Sequence, residues 1–440
     1  MRKPSTRRPL VSRWAFGAWL VLLAMLPGGL LSYYRNSRIG IGTWDPGGMM
    51  GINYQTFHYA AERARQGLEF YDVAPPGTYD WAVYLYPPIT VVSYVPFTLV
   101  EWTTGYAILT GLSVLAALGA TAVICRYVET LGVQLGWVDL ALVFAVFVLS
   151  THAYGTIYFG NINLFLALAI VVGFWALLEG RSSLSGAVFA LAALFKLFPA
   201  LLGLWLLRRK QYRAVGVAIV TGLGGILLGA ILFGLGTTWY YFTAVLPDRT
   251  DTSTFVGGYP VDGTYYITVQ QPLSHLVSSV WPTAPYEVIL GVSILFCLGV
   301  LALFYVDVHT ELDRQMAIFA TLAVTVSLIP SLRWYLVLLF LPIVSVLYLW
   351  EEGYARIPFV AGGLLFSLTI SAGDAVAYLD AGPEWVATVA YPVAGAANPP
   401  LYGIGLMLGA CLWHRYRTIE RRREATVAAP TPQEKRVTLE

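Results

Sequence analysis

Asp45, His58, Glu62, Asp72 and Asp80 fall in one polar stretch of the chain, and Arg63 and Arg65 sit among them. A carboxylate can take a proton from a hydroxyl while a nearby cation holds a departing phosphate, and this stretch supplies both kinds of group. Each acid taken alone reads as solvated surface. Two further cations stand in apolar surroundings. Lys196, in AALFKLFPALL, lies 12 residues before Arg208-Arg209-Lys210. That is roughly 18 Å along a helix, too deep for an end-of-helix lysine, so it calls for a carboxylate partner or a lipid phosphate. Pro199 beside it is expected to bend the helix. Arg333, in SLIPSLRWYLVLL, stands where two apolar runs meet, either as a simple boundary residue or as a bidentate fork for phosphate oxygens.

Other reactive types lack a pattern. His152, His275 and His414 show no mutual spacing, and Cys125, Cys297 and Cys411 lie far apart in or beside apolar runs and read as packing residues. There is no Walker loop, dinucleotide fingerprint or Asp-x-Asp sugar-nucleotide signature, which favours a lipid-borne substrate over a nucleotide-borne one. No metal site is read from the sequence.

The elements that must position these residues are membrane helices. The chain has 440 residues, of which 57% are hydrophobic and 12% charged, with a mean hydropathy of +0.66. Such a chain is solvated by lipid, and its net charge of +2 is no argument for nucleic acid. Apolar stretches predict twelve spans, at about 14–34, 87–101, 103–127, 137–152, 159–179, 184–207, 214–236, 286–306, 315–331, 333–350, 356–379 and 398–414. Two are short, 87–101 and 137–152. With twelve spans, the basic N-terminus (1–13), Arg208-Arg209-Lys210 and the basic run from Arg415 to Arg423 share the cytoplasmic side. Both termini are then cytoplasmic, and the transmembrane domain covers 14–416. Its long external loops are about 35–86 and 237–285, and residues 417–440 form a polar tail expected to be disordered. The stretch 54–68 mixes aromatic, apolar and charged residues and predicts a helix lying along the membrane interface.

Several motifs occur together in order. Gly51-Ile52-Asn53-Tyr54 continues to Ala60-Ala61-Glu62-Arg63, followed by Gly67, Phe70-Tyr71-Asp72 and Tyr86-Pro87-Pro88. Then come Gly160-Asn161-Ile162-Asn163 and Phe195-Lys196-Leu197-Phe198-Pro199 ahead of a basic loop. Over roughly 45–215 this order resembles glycosyltransferase family 87, with its Gly-Gln-x-Asn and Lys-x-x-Pro segments. Beyond 215 the likeness is thin, with Gln270-Gln271-Pro272-Leu273 only loosely similar to an Asn-x-Ser-Leu segment.

The resemblance implies an all-α, polytopic membrane protein of GT-C type, with its reactive groups at the first external loop. It also implies transfer of a hexose, usually mannose, from a polyprenyl-phosphate donor to a lipid-linked or protein-linked glycan acceptor, in a cell membrane and with no obligate cofactor. The family's usual base is an Asp, and Asn53 stands at that position here; an amide takes no proton at neutral pH. Asp45 and Asp72 are the replacement candidates. Arg63, Lys196 and Arg333 are expected at the donor phosphate, and His58, Tyr86, Asn161 and Asn163 at substrate. A later His after Pro is also unmatched, since Pro330 is followed by Ser331-Leu332-Arg333. The alternative is a polyprenyl-lipid-binding or transport-related protein of the same fold.

Overall fold

The computed structural model describes residues 13–37, 49–250, 266–328, 330–350, 353–368, 383, 385 and 398–427. Asp45 of the sequence reading lies outside them, as do residues 428–440.

The described chain is helical apart from one two-stranded ribbon. The first helices are α1 (Arg13–Ala24), α2 (Leu26–Ser37), α3 (Ile52–Arg65), α4 (Trp102–Thr130), α5 (Trp137–Leu149) and α6 (Thr151–Tyr158). They are followed by α7 (Asn163–Leu178), α8 (Ser182–Phe195), α9 (Leu202–Arg208), α10 (Tyr212–Phe233), α11 (Leu235–Tyr240) and α12 (Leu246–Thr250). The last six are α13 (Gln270–Val280), α14 (Tyr286–Tyr305), α15 (Glu311–Leu328), α16 (Phe340–Leu349), α17 (Arg356–Phe366) and α18 (Pro399–Val427). Segments Pro88–Leu99, Phe198–Leu201 and Arg333–Leu339 are 3₁₀ helices, and Tyr241–Val245 forms a π turn. Strands β1 (Tyr266–Ile267) and β2 (Ser331–Leu332) pair antiparallel, Tyr266 opposite Leu332 and Ile267 opposite Ser331.

Among the described residues, four helices are long and apolar enough to cross a membrane: Phe16–Tyr34, Trp102–Thr130, Tyr212–Phe233 and Tyr286–Tyr305. The α5–α6 pair, bent by 49°, makes a fifth if counted as one span. The twelve apolar runs therefore do not become twelve unbroken helices. Hydropathy registers apolar length but not backbone interruption, and several runs are interrupted. Ser150 turns to extended backbone between α5 and α6, where its Oγ accepts from Ala153 N at 3.2 Å as an N-cap. The run 184–207 breaks at Lys196, and 333–350 opens as 3₁₀ helix. The predicted interfacial helix is α3, and α18 continues through Val427.

Burial separates core from periphery. Almost all of α15 and of 335–348 is buried, as expected for helices apolar on every side and enclosed by others. By contrast, α10 buries only Ala214 and Gly229 of its 22 residues, so its apolar surface faces outward. Asp139, fully buried at the start of α5, joins three elements. Its Oδ1 accepts from Trp19 Nε1 (2.9 Å) and Tyr348 Oη (2.7 Å), and its Oδ2 from Gly136 N (2.8 Å). Those donors satisfy a buried carboxylate that would otherwise be prohibitively costly.

Candidate active site

The site begins with the end of α6. Gly160 adopts the left-handed conformation (φ 68°). Asn161 N donates to Thr156 O (2.8 Å) and Gly160 N to Ile157 O (3.1 Å). This six-to-one and five-to-two pair is a Schellman stop, which consumes the last carbonyls of α6 and reverses the chain. Asn161 Oδ1 then accepts from Ile162 N (2.8 Å), and Asn163 opens α7.

The same corner receives α3. Gly51 N donates to Tyr158 O (2.8 Å) and Asn53 N to Phe159 O (3.0 Å), so the first amides of α3, which have no partner within that helix, are satisfied by the C-terminal end of α6. The Tyr106 hydroxyl lies 2.9 Å from Ile157 O and 3.1 Å from Tyr158 O. Asn53 is thereby placed within two residues of the turn that carries Asn161.

Lys196 reaches this turn from α8. Pro199 lacks an N–H, and its ring would clash with the carbonyl of Phe195, so the α-helix cannot continue past that residue. Lys196 instead adopts extended backbone (φ −147°, ψ 120°), its N–H closing on Ala192 O at 3.0 Å. The expectation of a lysine within a continuous helix is thus corrected: the helix ends where the lysine begins. The side chain is 2% exposed. Its Nζ donates to Asn163 Oδ1 (2.8 Å) and Asn161 Oδ1 (3.1 Å), and lies 3.8 Å from the centroid of the Tyr335 ring. The amide oxygens and the π face hold the ammonium in place.

Arg333 enters through the segment that follows β2. It is half-buried at the start of the 3₁₀ turn, directly before Trp334 and Tyr335. The Trp334 carbonyl accepts from Asn163 Nδ2 at 3.1 Å, with Thr156 Oγ1 at 3.4 Å, and the Trp334 ring packs on Phe159 with centroids 4.6 Å apart. Asn161, Asn163 and Lys196 thus meet through their side chains, and the backbone brings Asn53 and Arg333 beside them, from positions scattered over 281 residues (53–333). Trp334, Tyr335 and Thr156 belong to this corner too. The sequence reading did not single them out as site residues, and the available signal was the aromatic pair beside Arg333.

The other predicted residues sit elsewhere. Asp72 is exposed, in left-handed backbone (φ 54°), and its carboxylate accepts a hydrogen bond from Tyr240 Oη, joining the segment after α3 to the end of α11. That bond raises the Tyr240 phenol above its ordinary value. Arg63 donates through Nε to Glu69 O and lies over the Tyr59 ring, so it ties the end of α3 to the turn that follows. His58 Nε2 is 3.3 Å from Val100 O. Tyr86 is buried between Phe57 and Tyr84, and its carbonyl accepts from Tyr71 Oη at 2.7 Å. Glu62 and Asp80 stay at or near the surface. Among the described residues, no three His, Cys, Asp or Glu side chains come together as a metal site.

An apolar groove of about 300 Å³ adjoins the corner. Its walls come from the 3₁₀ segment (Tyr94, Phe97), α4 (Leu109, Leu112), α7 (Phe165, Leu166) and α8 (Leu191, Ala192), together with Ile162 and Phe195. Ile162 separates the two asparagines that hold Lys196, and Phe195 directly precedes the lysine.

A family-wide sequence comparison matches residues 84–342 to glycosyltransferase family 87. This covers 259 of the 440 residues, more than half of the chain. The chain belongs to glycosyltransferase family 87. It is an α-helical membrane member of a glycosyltransferase family. The matched region contains Tyr86, Asn161, Asn163, Lys196 and Arg333, and it runs well past the limit of 215 read from the motifs. Asn53, His58, Arg63 and Asp72 precede it. No curated protein and no solved structure matches the chain.

Proposed function

We propose that this family 87 protein has the GT-C architecture and moves a hexose, mannose in the first instance, from a polyprenyl-phosphate donor to a lipid-linked or protein-linked glycan acceptor at the external face of the cell membrane. One observation carries the reading: a buried lysine held by two asparagine oxygens, whose chain neighbours Ile162 and Phe195 line an apolar groove. A donor of this class has an anionic head and an isoprenoid tail, and these two features match its two halves.

In this reading Lys196 and Arg333 stabilise the phosphate as the glycosidic bond to it breaks, where charge builds on the leaving oxygen. The acceptor hydroxyl attacks the anomeric carbon from the opposite face, inverting it, and gives its proton to Asp45 or Asp72. Asn53, held at the corner by the α3–α6 docking, orients the sugar or the acceptor. Arg63, tied to its own turn, supports the loop.

The test is transfer by the purified chain in nanodiscs, with radiolabelled polyprenyl-phosphate mannose and a crude lipid extract as acceptor, beside the Asp45→Ala and Asp72→Ala variants. Label moving to a new species, and lost in one variant, establishes the transferase and its base. Donor binding without transfer under any acceptor gives the second reading, a lipid-binding relative without the chemistry. Asn53 in place of the family's acid is the observation that favours it.

A further inference from the structure

The indole N–H of Trp334 is buried and has no hydrogen-bond partner among the described residues. A buried donor left unpaired is costly, and native proteins rarely keep one without a use. The rest of the residue is fully engaged. Its carbonyl is held by Asn163, the same side chain whose oxygen holds Lys196. Its ring lies on Phe159, and Gly155 lets it approach α6 so closely that a Cβ there would come within 2.8 Å of the ring. The residue as a whole is only half-buried. The next residue, Tyr335, gives its ring face to the lysine. The indole N–H is therefore an unspent donor one residue from the proposed phosphate site, covered in the free protein and reached by a ligand oxygen when the groups over it shift.

We infer that Trp334 is a donor-binding residue whose Nε1–H hydrogen-bonds an oxygen of the bound sugar-phosphate head group. The inference rests on the polyprenyl-phosphate reading above, and it adds a recognition contact that neither Lys196 nor Arg333 provides.

The experiment measures equilibrium binding of two radiolabelled lipids, polyprenyl-phosphate mannose and polyprenyl phosphate without sugar, to the full chain in nanodiscs. Three proteins are compared: wild type, Trp334→Phe, and a form carrying benzothienylalanine at position 334, which keeps the shape of the indole with sulfur in place of N–H. Both substitutions should weaken donor binding about tenfold. In the benzothienyl form the melting temperature should stay the same or rise, because a donor unpaired in the free protein is removed. A loss confined to the sugar-bearing lipid puts the bond on a sugar hydroxyl, and a loss for both lipids puts it on the phosphate; either outcome supports the proposal. Affinity within twofold of wild type overturns it. So does a lowered melting temperature in the benzothienyl form, which would give the N–H a structural partner instead. If wild type binds neither lipid, the donor reading itself fails, and with it this inference; binding by wild type that is unchanged in the variants sinks the Trp334 assignment alone.

Discussion

Lys196 shows how one side chain can be both expensive and useful. An ammonium taken out of water survives only with compensating partners, and here Asn161, Asn163 and the Tyr335 ring supply them. In Lys196→Met the side-chain volume is nearly kept while the charge and its donors are lost. Asn163 Oδ1 then loses the lysine, a penalty on the order of 1–3 kcal/mol, while Asn161 Oδ1 keeps the Ile162 amide, and the loss is partly offset because the lysine no longer has to be desolvated. Stability should shift modestly. Transfer should fall by about 10²–10³, as when one donor to a developing anion is removed. A melt combined with the radiolabel assay separates the two effects: a variant that melts normally and retains full transfer would remove Lys196 from the chemistry.

At the scale of elements, function depends on where helices stop. Gly160 ends α6, admits α3 and begins the turn that carries both asparagines. An alanine there would have to hold φ near 68°, costing about 1–2 kcal/mol, and its Cβ would sit 2.6 Å from Tyr54 Cβ, which cannot withdraw without moving α3. Gly180 is a control: its φ of 73° is similar, but no atom lies within 4 Å of the added Cβ. Gly160→Ala should therefore destabilise clearly more than Gly180→Ala in thermal melts, and it alone should abolish transfer; equal melting shifts would show that the docking of α3 is not rigid. These stops also mark the limit of legibility in the sequence. Pro199 announced a bend and the Gly160-Asn161-Ile162-Asn163 run a motif, because proline and left-handed glycine act locally. That Lys196 meets those asparagines, more than 30 positions away in the chain, depends on the packing of α7 against α8. No local pattern encodes that meeting, so Lys196 read as a residue in search of a carboxylate or a lipid phosphate. Asp72 and Arg63 read as site residues by proximity in sequence; the fold gives them Tyr240 and Glu69 as partners, and Asp72 keeps its place as a candidate base.

Across the whole molecule, charge and length give the chain a direction. Arg208 Nε donates to Tyr305 O, and Arg415 donates to Phe304 O at 2.6 Å and to Val306 O, so the basic segment after α9 and the basic part of α18 meet at the C-terminal end of α14. From Tyr212, beside that basic end, α10 runs 22 residues to Phe233, shortly before Tyr240 and its bond to Asp72. Its length is about 33 Å at 1.5 Å per residue, close to the hydrocarbon thickness of a bilayer. The basic end should therefore face the cytoplasm and the Asp72–Tyr240 contact the outside. The native cysteines, Cys125, Cys297 and Cys411, are all buried, which keeps the background low for single-cysteine labelling. With a membrane-impermeant maleimide on intact cells, Asp248→Cys should label directly, whereas Gln211→Cys should label only after permeabilisation. Labelling of both without permeabilisation would mean that α10 does not cross. The reverse pattern would turn the molecule over and put the Asp72 loop, with its candidate base, on the cytoplasmic side, where a donor presented at the outer face could not meet it.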